Sequence, residues 1–314
     1  MSLRIGIIGL PNVGKSTLFN ALTRQHAPVA SFPFTTIEPN VGVAAIPDER
    51  LAAVAKVAGS RKVTPATIEV VDIAGLVKGA HRGEGLGNEF LASIRPMDAL
   101  LHVVRVFDAP GVTRAGSVSP EEDIAVIRAE LEAKDAEIAA RRDRKKGGVS
   151  ENSEWKLAAK PVLTVLNTGE DLRVPPSAAT IQPSIVLSGK LEAELAELSE
   201  EDQHAFLQEY GLEHPRVDDI IRELVRLLRL VTFFTANENE ARAWLLPRGA
   251  TAWEAAGKVH ADFQRGFIRA ETIAWDALIE AGSTAAARER GLLRDEGKDY
   301  TVQDGDVLLF KGDI

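Results

Sequence analysis

The chain has 314 residues, 45% of them hydrophobic and 26% charged, with a formal net charge of −9. That balance allows a sizeable core and two domains, and it excludes coating nucleic acid by bulk positive charge, so any RNA or ribosome contact needs a local basic patch. Cysteine is absent, which removes disulfides, cysteine-based zinc sites and thiol catalysis.

The N-terminal run RIGIIG (Arg4–Gly9) predicts a buried strand. No cleavage site follows it, so it reads as a strand and not as a secretion signal. No stretch of 18 consecutive apolar residues occurs, so no membrane span is expected. A cytoplasmic protein is the expectation.

Directly after this strand comes GLPNVGKST (Gly9–Thr17), which fits G-x-x-x-x-G-K-[ST] and opens a predicted helix. In such a loop the backbone N–H groups of Asn12 to Thr17 face an anion. Asn12, Val13, Gly14, Lys15, Ser16 and Thr17 are therefore the expected phosphate-binding residues. Lys15 brings a positive charge to the β- and γ-phosphates, and the Ser16 hydroxyl is an expected Mg²⁺ ligand. The next segment, FPFTTIEPN (Phe32–Asn40), holds Thr35 and Thr36. A Thr hydroxyl there completes the metal shell only while a γ-phosphate is bound, which makes a switch. Thr36 is the favoured residue and Thr35 the alternative.

VGVAAI (Val41–Ile46) and TIEVVDIAG (Thr67–Gly75) predict further strands. Asp72, at the end of the second, is placed to hold Mg²⁺ through water, and the Gly75 amide to reach a γ-phosphate. GLVKGAHRGEGLGNEF (Gly75–Phe90) has five glycines in sixteen residues and reads as a second switch. His81 lies within it. ALLHVVRVF (Ala99–Phe107) is a strand to be buried, and His102 inside it reads as a core histidine.

A long helix is expected over Ser119–Gly148. Ser119 and Glu122 fit a capping box, Pro120 stands at the first helical position, and acids precede bases along it. Ile124, Ile127, Leu131 and Ile138 form its thin apolar stripe. It reads as a solvated helical insertion, with a partner-binding arm as the alternative. PVLTVLN (Pro161–Asn167) and SIVLSG (Ser184–Gly189) return to strand character. Strands alternating with helical patterns predict an α/β fold with a mainly parallel sheet.

After RLLRLVTFF (Arg226–Phe234) the pattern becomes short strands, one helix and an Asp304-Gly305 turn, a smaller α+β domain over 232–314. Lys258, His260, Arg265 and Arg269 fall close together there. On a helix some of them would form a basic face able to contact RNA, with a solvated, charge-balanced helix as the alternative.

Four stretches together resemble the Obg-related, YchF-type P-loop ATPases of the TRAFAC class: GLPNVGKST, FPFTTIEPN, VVDIAGLVKGAHRGEGLGNEFL and GKDYTVQDGDVLLF. The resemblance covers nearly the whole chain. It implies a P-loop G domain over 1–231, with a helical insertion at about 118–160, and a C-terminal TGS-like β-grasp domain. It also implies ATP hydrolysis with Mg²⁺ and association with the ribosome or translation. The insertion is shorter than the long helical hairpin of many relatives.

GTPases of this class read guanine with N-K-x-D, whose Asp accepts from guanine N1–H and the 2-amino group. At the matching strand end this chain has Asn167-Thr168-Gly169-Glu170. With Lys and Asp both replaced, guanine preference should collapse, while Asn167 can still meet a purine at N7 or the 6-amino group. YchF-type proteins are similar in carrying N-x-x-E here and preferring ATP. Ser188 resembles the last base-contacting loop, with Lys190 beside it. Leu76 stands where small GTPases place their water-orienting Gln, so unaided turnover is expected to be slow. Asn12 resembles the asparagine that ligates K⁺ in some relatives, making K⁺ a candidate second cofactor. A ribosome-assembly GTPase and a small-molecule P-loop kinase are the competing readings. The kinase reading lacks a lid candidate.

Overall fold

Aliphatic, β-branched runs become the strands that carry the site. The computed structural model describes residues 3–25, 40–73, 92–107, 119–146, 156–176 and 178–313. The chain divides into two units, one of Met1–Ala27, Pro33–Ala44 and Ile68–Leu224, the other of Pro28–Phe32, Ala45–Thr67 and Val225–Ile314.

The strands of the first unit are β1 (Leu3–Ile8), β2 (Val41–Ala45), β4 (Thr67–Asp72), β5 (Ala99–Arg105), β6 (Val162–Asn167) and β7 (Ser184–Leu187). They form one sheet in the order β2-β4-β1-β5-β6-β7. The pairings from β4 through β7 are parallel, as expected. Every residue of β5 is buried. That is why it reads as a continuous apolar run and not as an alternating one. His102 is buried within it, as expected of a core histidine.

Helices α1 (Lys15–Gln25), α3 (Pro120–Lys146), α4 (Gly189–Leu195), α5 (Glu200–Glu209) and α6 (Arg216–Leu227) accompany this sheet. In α6, Val217, Ile220, Ile221 and Leu224 are buried, the i, i+3, i+4, i+7 face of an amphipathic helix. The inserted helix α3 starts where its signals place it. Ser119 Oγ accepts from the Glu122 N–H at 3.4 Å, and its hydroxyl donates to Glu121 at 2.6 Å. Ile127 and Leu131 are buried. Asp135 accepts the N–H groups of Leu157 and Ala158 at 2.8 and 3.0 Å, tying the helix to the returning chain.

The second unit is a six-stranded sheet in the order β11-β10-β12-β8-β9-β3. Its strands are β3 (Lys62–Thr64), β8 (Leu230–Ala236), β9 (Glu240–Pro247), β10 (Phe267–Ala274), β11 (Arg294–Glu296) and β12 (Asp306–Gly312). β8 with β9, β10 with β11 and β10 with β12 are antiparallel; β12 with β8 and β3 with β9 are parallel. α2 (Glu49–Ala58), α7 (Ala252–Val259), α8 (Ala261–Arg265), α9 (Trp275–Ala281) and α10 (Thr284–Glu289) complete it.

Three expectations are corrected here. The boundary at 231/232 falls inside β8, because Leu230 and Val231 already pair with Pro247 and Leu246. Ala45–Thr67 belongs with the second unit, since β3 adds itself to β9. The single helix expected around Lys258 is two helices and a strand: His260 is extended at φ −163° and separates α7 from α8, and Gly266 closes α8. Lys258, His260, Arg265 and Arg269 therefore share no helical face. Arg265 pairs with Asp262, and Arg269 with Asp295 at 2.9 Å. The expected Asp304-Gly305 turn is present, with Gly305 at φ +89° and Asp304 accepting the Thr232 N–H at 2.8 Å.

Candidate nucleotide-binding site

The loop between β1 and α1 is shaped by residues without ordinary backbone angles. Asn12 and Gly14 have φ of +61° and +98°. A Cβ on Gly14 would stand 2.3 Å from Asn167 Nδ2, so only glycine lets the loop pass that side chain. Ser16 and Thr17 are exposed on the first turn of α1, where N–H groups have no intrahelical partner. Lys15 folds back over the loop and is largely buried, its Nζ donating to the Leu10 carbonyl at 2.9 Å. Burial lowers its pKa, and the Asp72 carboxylate opposes that shift.

Ser16 Oγ donates to Asp72 Oδ2 at 2.6 Å. A hydroxyl and a carboxylate brought together beside a phosphate-type loop are hard oxygen donors of the kind Mg²⁺ takes. Ser16 and Asp72 thus fit the ion. Of the other expected residues on the phosphate side, Thr35, Thr36, Gly75, Leu76 and His81 lie outside the described residues.

The parallel order brings the ends of β5, β6 and β7 to the same edge as this loop, the position where open α/β sheets bind ligands. Asn167, the last residue of β6, is buried. Its Nδ2 donates to the Val13 carbonyl at 2.8 Å and its Oδ1 accepts from Gly189 N at 2.8 Å. One side chain thus fastens the phosphate loop to the start of α4. Thr168 is buried, its hydroxyl 3.0 Å from the carbonyls of both Leu187 and Gly169. Ser188 caps α4, accepting from Leu191 N at 3.5 Å. Glu170 and Lys190 form a short ion pair.

These groups surround an open pocket of about 480 Å³, lined by Asn12, Gly14, Thr17, Phe107, Asn167, Thr168, Gly169, Glu170, Ser188 and Lys190. That size and its mixed lining suit a purine nucleoside. Of the residues expected from the sequence, Asn12, Gly14, Thr17, Asn167, Glu170 and Ser188 meet at this pocket. Val13 is tied to it through its carbonyl, which accepts from Asn167, its side chain being buried in the core.

Phe107 escaped the sequence reading. Arg105, buried at the end of β5, donates from Nε to the Phe107 carbonyl at 2.9 Å and lays its guanidinium 4.6 Å from the ring centroid. Arg105 is in register with Asn167 across the parallel pair, and that adjacency was the available signal.

Comparisons with known proteins bear on the family and the fold. A family model described as a 50S ribosome-binding GTPase matches residues 4–167. Another, named YchF-GTPase_C and described as a protein of unknown function, matches residues 230–313. A protein of Bacillus subtilis (strain 168) named ribosome-binding ATPase YchF is 41% identical over 366 aligned positions, covering 100% of both chains. The chain belongs to the YchF family.

The Escherichia coli O157:H7 YchF, also named a ribosome-binding ATPase, is 42% identical over 99% of both chains. A solved YchF structure from Schizosaccharomyces pombe, named as a GTPase, superposes with a TM-score of 0.85 at 29% identity, covering 99% of this chain and 98% of that one. The alignment to the Bacillus YchF spans 366 positions against 314 residues here, so that relative carries segments this chain lacks. Among the described residues, no helix is long and apolar enough to cross a membrane.

The charged groups around the YchF site are unevenly tuned. Burial lowers the His102 pKa to about 4, aided by the Lys15 charge. Burial pushes Glu192 of α4 up to about 7, although its carboxylate accepts the Val217 and Arg216 N–H groups at 3.2 and 3.1 Å.

Proposed function

We propose that this chain is a nucleotide-dependent switch that binds ATP in preference to GTP, hydrolyses it slowly, and associates with the ribosome. The observation that carries the adenine reading is the rim of the base pocket. Thr168 is buried and bonded inward where guanine readers place a Lys, and Glu170 is engaged by Lys190. Glu170 stands where those readers place the shorter Asp that grips guanine N1–H and the 2-amino group together, and among the described residues no Asp lines the pocket. Losing such a bidentate contact removes about 1–3 kcal/mol of discrimination.

In this reading Phe107 forms one wall for the purine and Asn167 meets its edge with the remaining Nδ2 hydrogen. The backbone N–H groups of Asn12 to Thr17 hold the phosphates. Lys15 leaves the Leu10 carbonyl for the β- and γ-oxygens. Ser16 and Asp72 would hold Mg²⁺, which supplies charge neutralisation for in-line phosphoryl transfer. Thr36, with Thr35 the alternative, and the Gly75 amide close on the γ-phosphate as the switch elements. Leu76 cannot hydrogen-bond a water, so the unaided rate is slow. Exposed Asn12 is the candidate K⁺ ligand, and an equal rate in K⁺ and Na⁺ buffers would remove that role.

Ribosome association rests on the names of the Bacillus and Escherichia relatives. A finer part of the proposal is RNA contact through the C-terminal domain, in the cytoplasm. It is tested by salt-dependent RNA binding of Arg269→Glu and Lys258→Glu variants. A second reading, a GTPase, is favoured by the name given to the Schizosaccharomyces pombe relative and by the matching family description. Displacement of a labelled nucleotide separates the two: ATP competing about tenfold better than GTP supports the ATPase, and the reverse order supports the GTPase.

A further inference from the structure

Two ties join the loop after β6 to α4. The inner one is the buried Asn167–Gly189 bond. The outer one is the Glu170–Lys190 ion pair, and both of its partners line the base pocket. Lys190 also has Glu194 at 3.8 Å, one turn further along α4. Its position is thus set from both sides, with one carboxylate on the base loop and one on its own helix.

Guanine recognition by a carboxylate needs both oxygens, one for N1–H and one for the 2-amino group. Glu170 has Oε1 committed to the Lys190 ammonium. To grip guanine it would have to leave that cation. Adenine has no donor at N1 or C2 and demands no such exchange. Resting on the ATP-preferring reading above, we infer that Lys190 is a specificity-determining residue, which disfavours GTP by holding Glu170 away from the purine's donor edge. Glu170 alone would be a long but usable acceptor; paired with Lys190 it is an occupied one. The bond to Glu170 also raises the pKa of Lys190, so the ammonium form that makes the tie is the favoured one.

The test is a double-mutant cycle on the full chain, reading the ratio of ATP to GTP affinity by displacement of a labelled nucleotide. Both side chains are exposed, so the fold tolerates Lys190→Met and Glu170→Gln. Lys190→Met should shift the ATP-to-GTP affinity ratio about fivefold toward GTP, the scale of an exposed ion pair. In the Glu170→Gln background, Lys190→Met should leave the ratio unmoved. If the wild type prefers ATP but Lys190→Met does not shift the ratio, this inference falls and the ATPase reading stands. The same holds if Lys190→Met shifts the ratio equally in both backgrounds. If the wild type binds the two nucleotides equally, the ATPase reading falls and takes this inference with it.

Discussion

Asn167 and Val13 are 154 positions apart in the chain, and the Asn167 Nδ2 donates to the Val13 carbonyl at 2.8 Å. With its Oδ1 on Gly189 N, this one amide links the loop for phosphates to the loop for the base. Its surroundings are tight enough that Gly14 and Gly189 both pack against it without side chains.

Replacing Asn167 by Ala leaves a buried carbonyl and a buried N–H without this partner. Each such loss costs about 1–3 kcal/mol. Asn167→Ala should therefore lower unfolding free energy by about 2–6 kcal/mol and weaken nucleotide binding more than about tenfold. Urea denaturation and nucleotide titration measure the two. Asn167→Asp can still accept from Gly189 but sets a carboxylate oxygen against the Val13 carbonyl, so it should not rescue binding.

The base loop predicts a gain of function. Thr168→Lys with Glu170→Asp rebuilds the guanine-reading pattern in place of the present loop. GTP affinity should rise about tenfold or more, the scale of one good bidentate contact. A competition assay reads this directly. Unchanged GTP affinity in a folded double variant would show that the loop does not face the base.

The Ser16–Asp72 pair predicts how metal removal acts. Chelation of Mg²⁺ should abolish ATP hydrolysis and weaken ATP binding in the wild type. Ser16→Ala should already hydrolyse ATP about a hundredfold more slowly, and chelation should change its ATP affinity little. Asp72→Asn removes the other oxygen donor, so it should likewise slow Mg²⁺-dependent hydrolysis, and chelation should change its ATP affinity little.

Two buried groups predict opposite pH trends. His102 has a folded pKa of about 4, below its ordinary value of 6.5. The unfolded chain binds the extra proton between these values, so this contribution to stability is present above 6.5 and is lost as pH falls toward 4. Glu192 has a folded pKa of about 7, above its ordinary 4.5. Here the folded chain binds the extra proton, so stability is greatest below 4.5 and falls as pH rises toward 7. The two trends overlap and partly cancel in the wild type. Unfolding free energies at about pH 5 and pH 8 for the wild type and Glu192→Gln separate them. The wild type should lose up to about 3 kcal/mol relative to the variant across that range. Parallel pH curves would contradict the assignment.

Much of this was readable before the fold. Lys15 and Ser16 are legible because the phosphate loop is local, a strand, a turn and a helix within a few residues. Asp72 and Asn167 are legible as polar residues ending apolar strands. The role of Asn167 as a brace is not, because Val13 follows β1, and β5 lies between β1 and β6 in the sheet. Phe107 was missed for a related reason, since an aromatic at the end of a buried strand looks like core until its neighbour strand is known. The association of β3 with β9 was hidden because Ala45–Thr67 reads as an ordinary crossover between β2 and β4. His260 broke the expected helix through a cap, its Nδ1 accepting from Asp262 N at 3.2 Å, a side-chain bond that hydrophobic periodicity does not register.

The most direct measurement is a crystal structure of the full chain with Mg²⁺ and a non-hydrolysable ATP analogue. The adenine is predicted between Phe107 and the Asn167–Glu170 loop, with Lys190 still on Glu170 and the phosphates over Lys15. A purine lying outside that corner, with the phosphates still in the loop, would contradict the adenine reading.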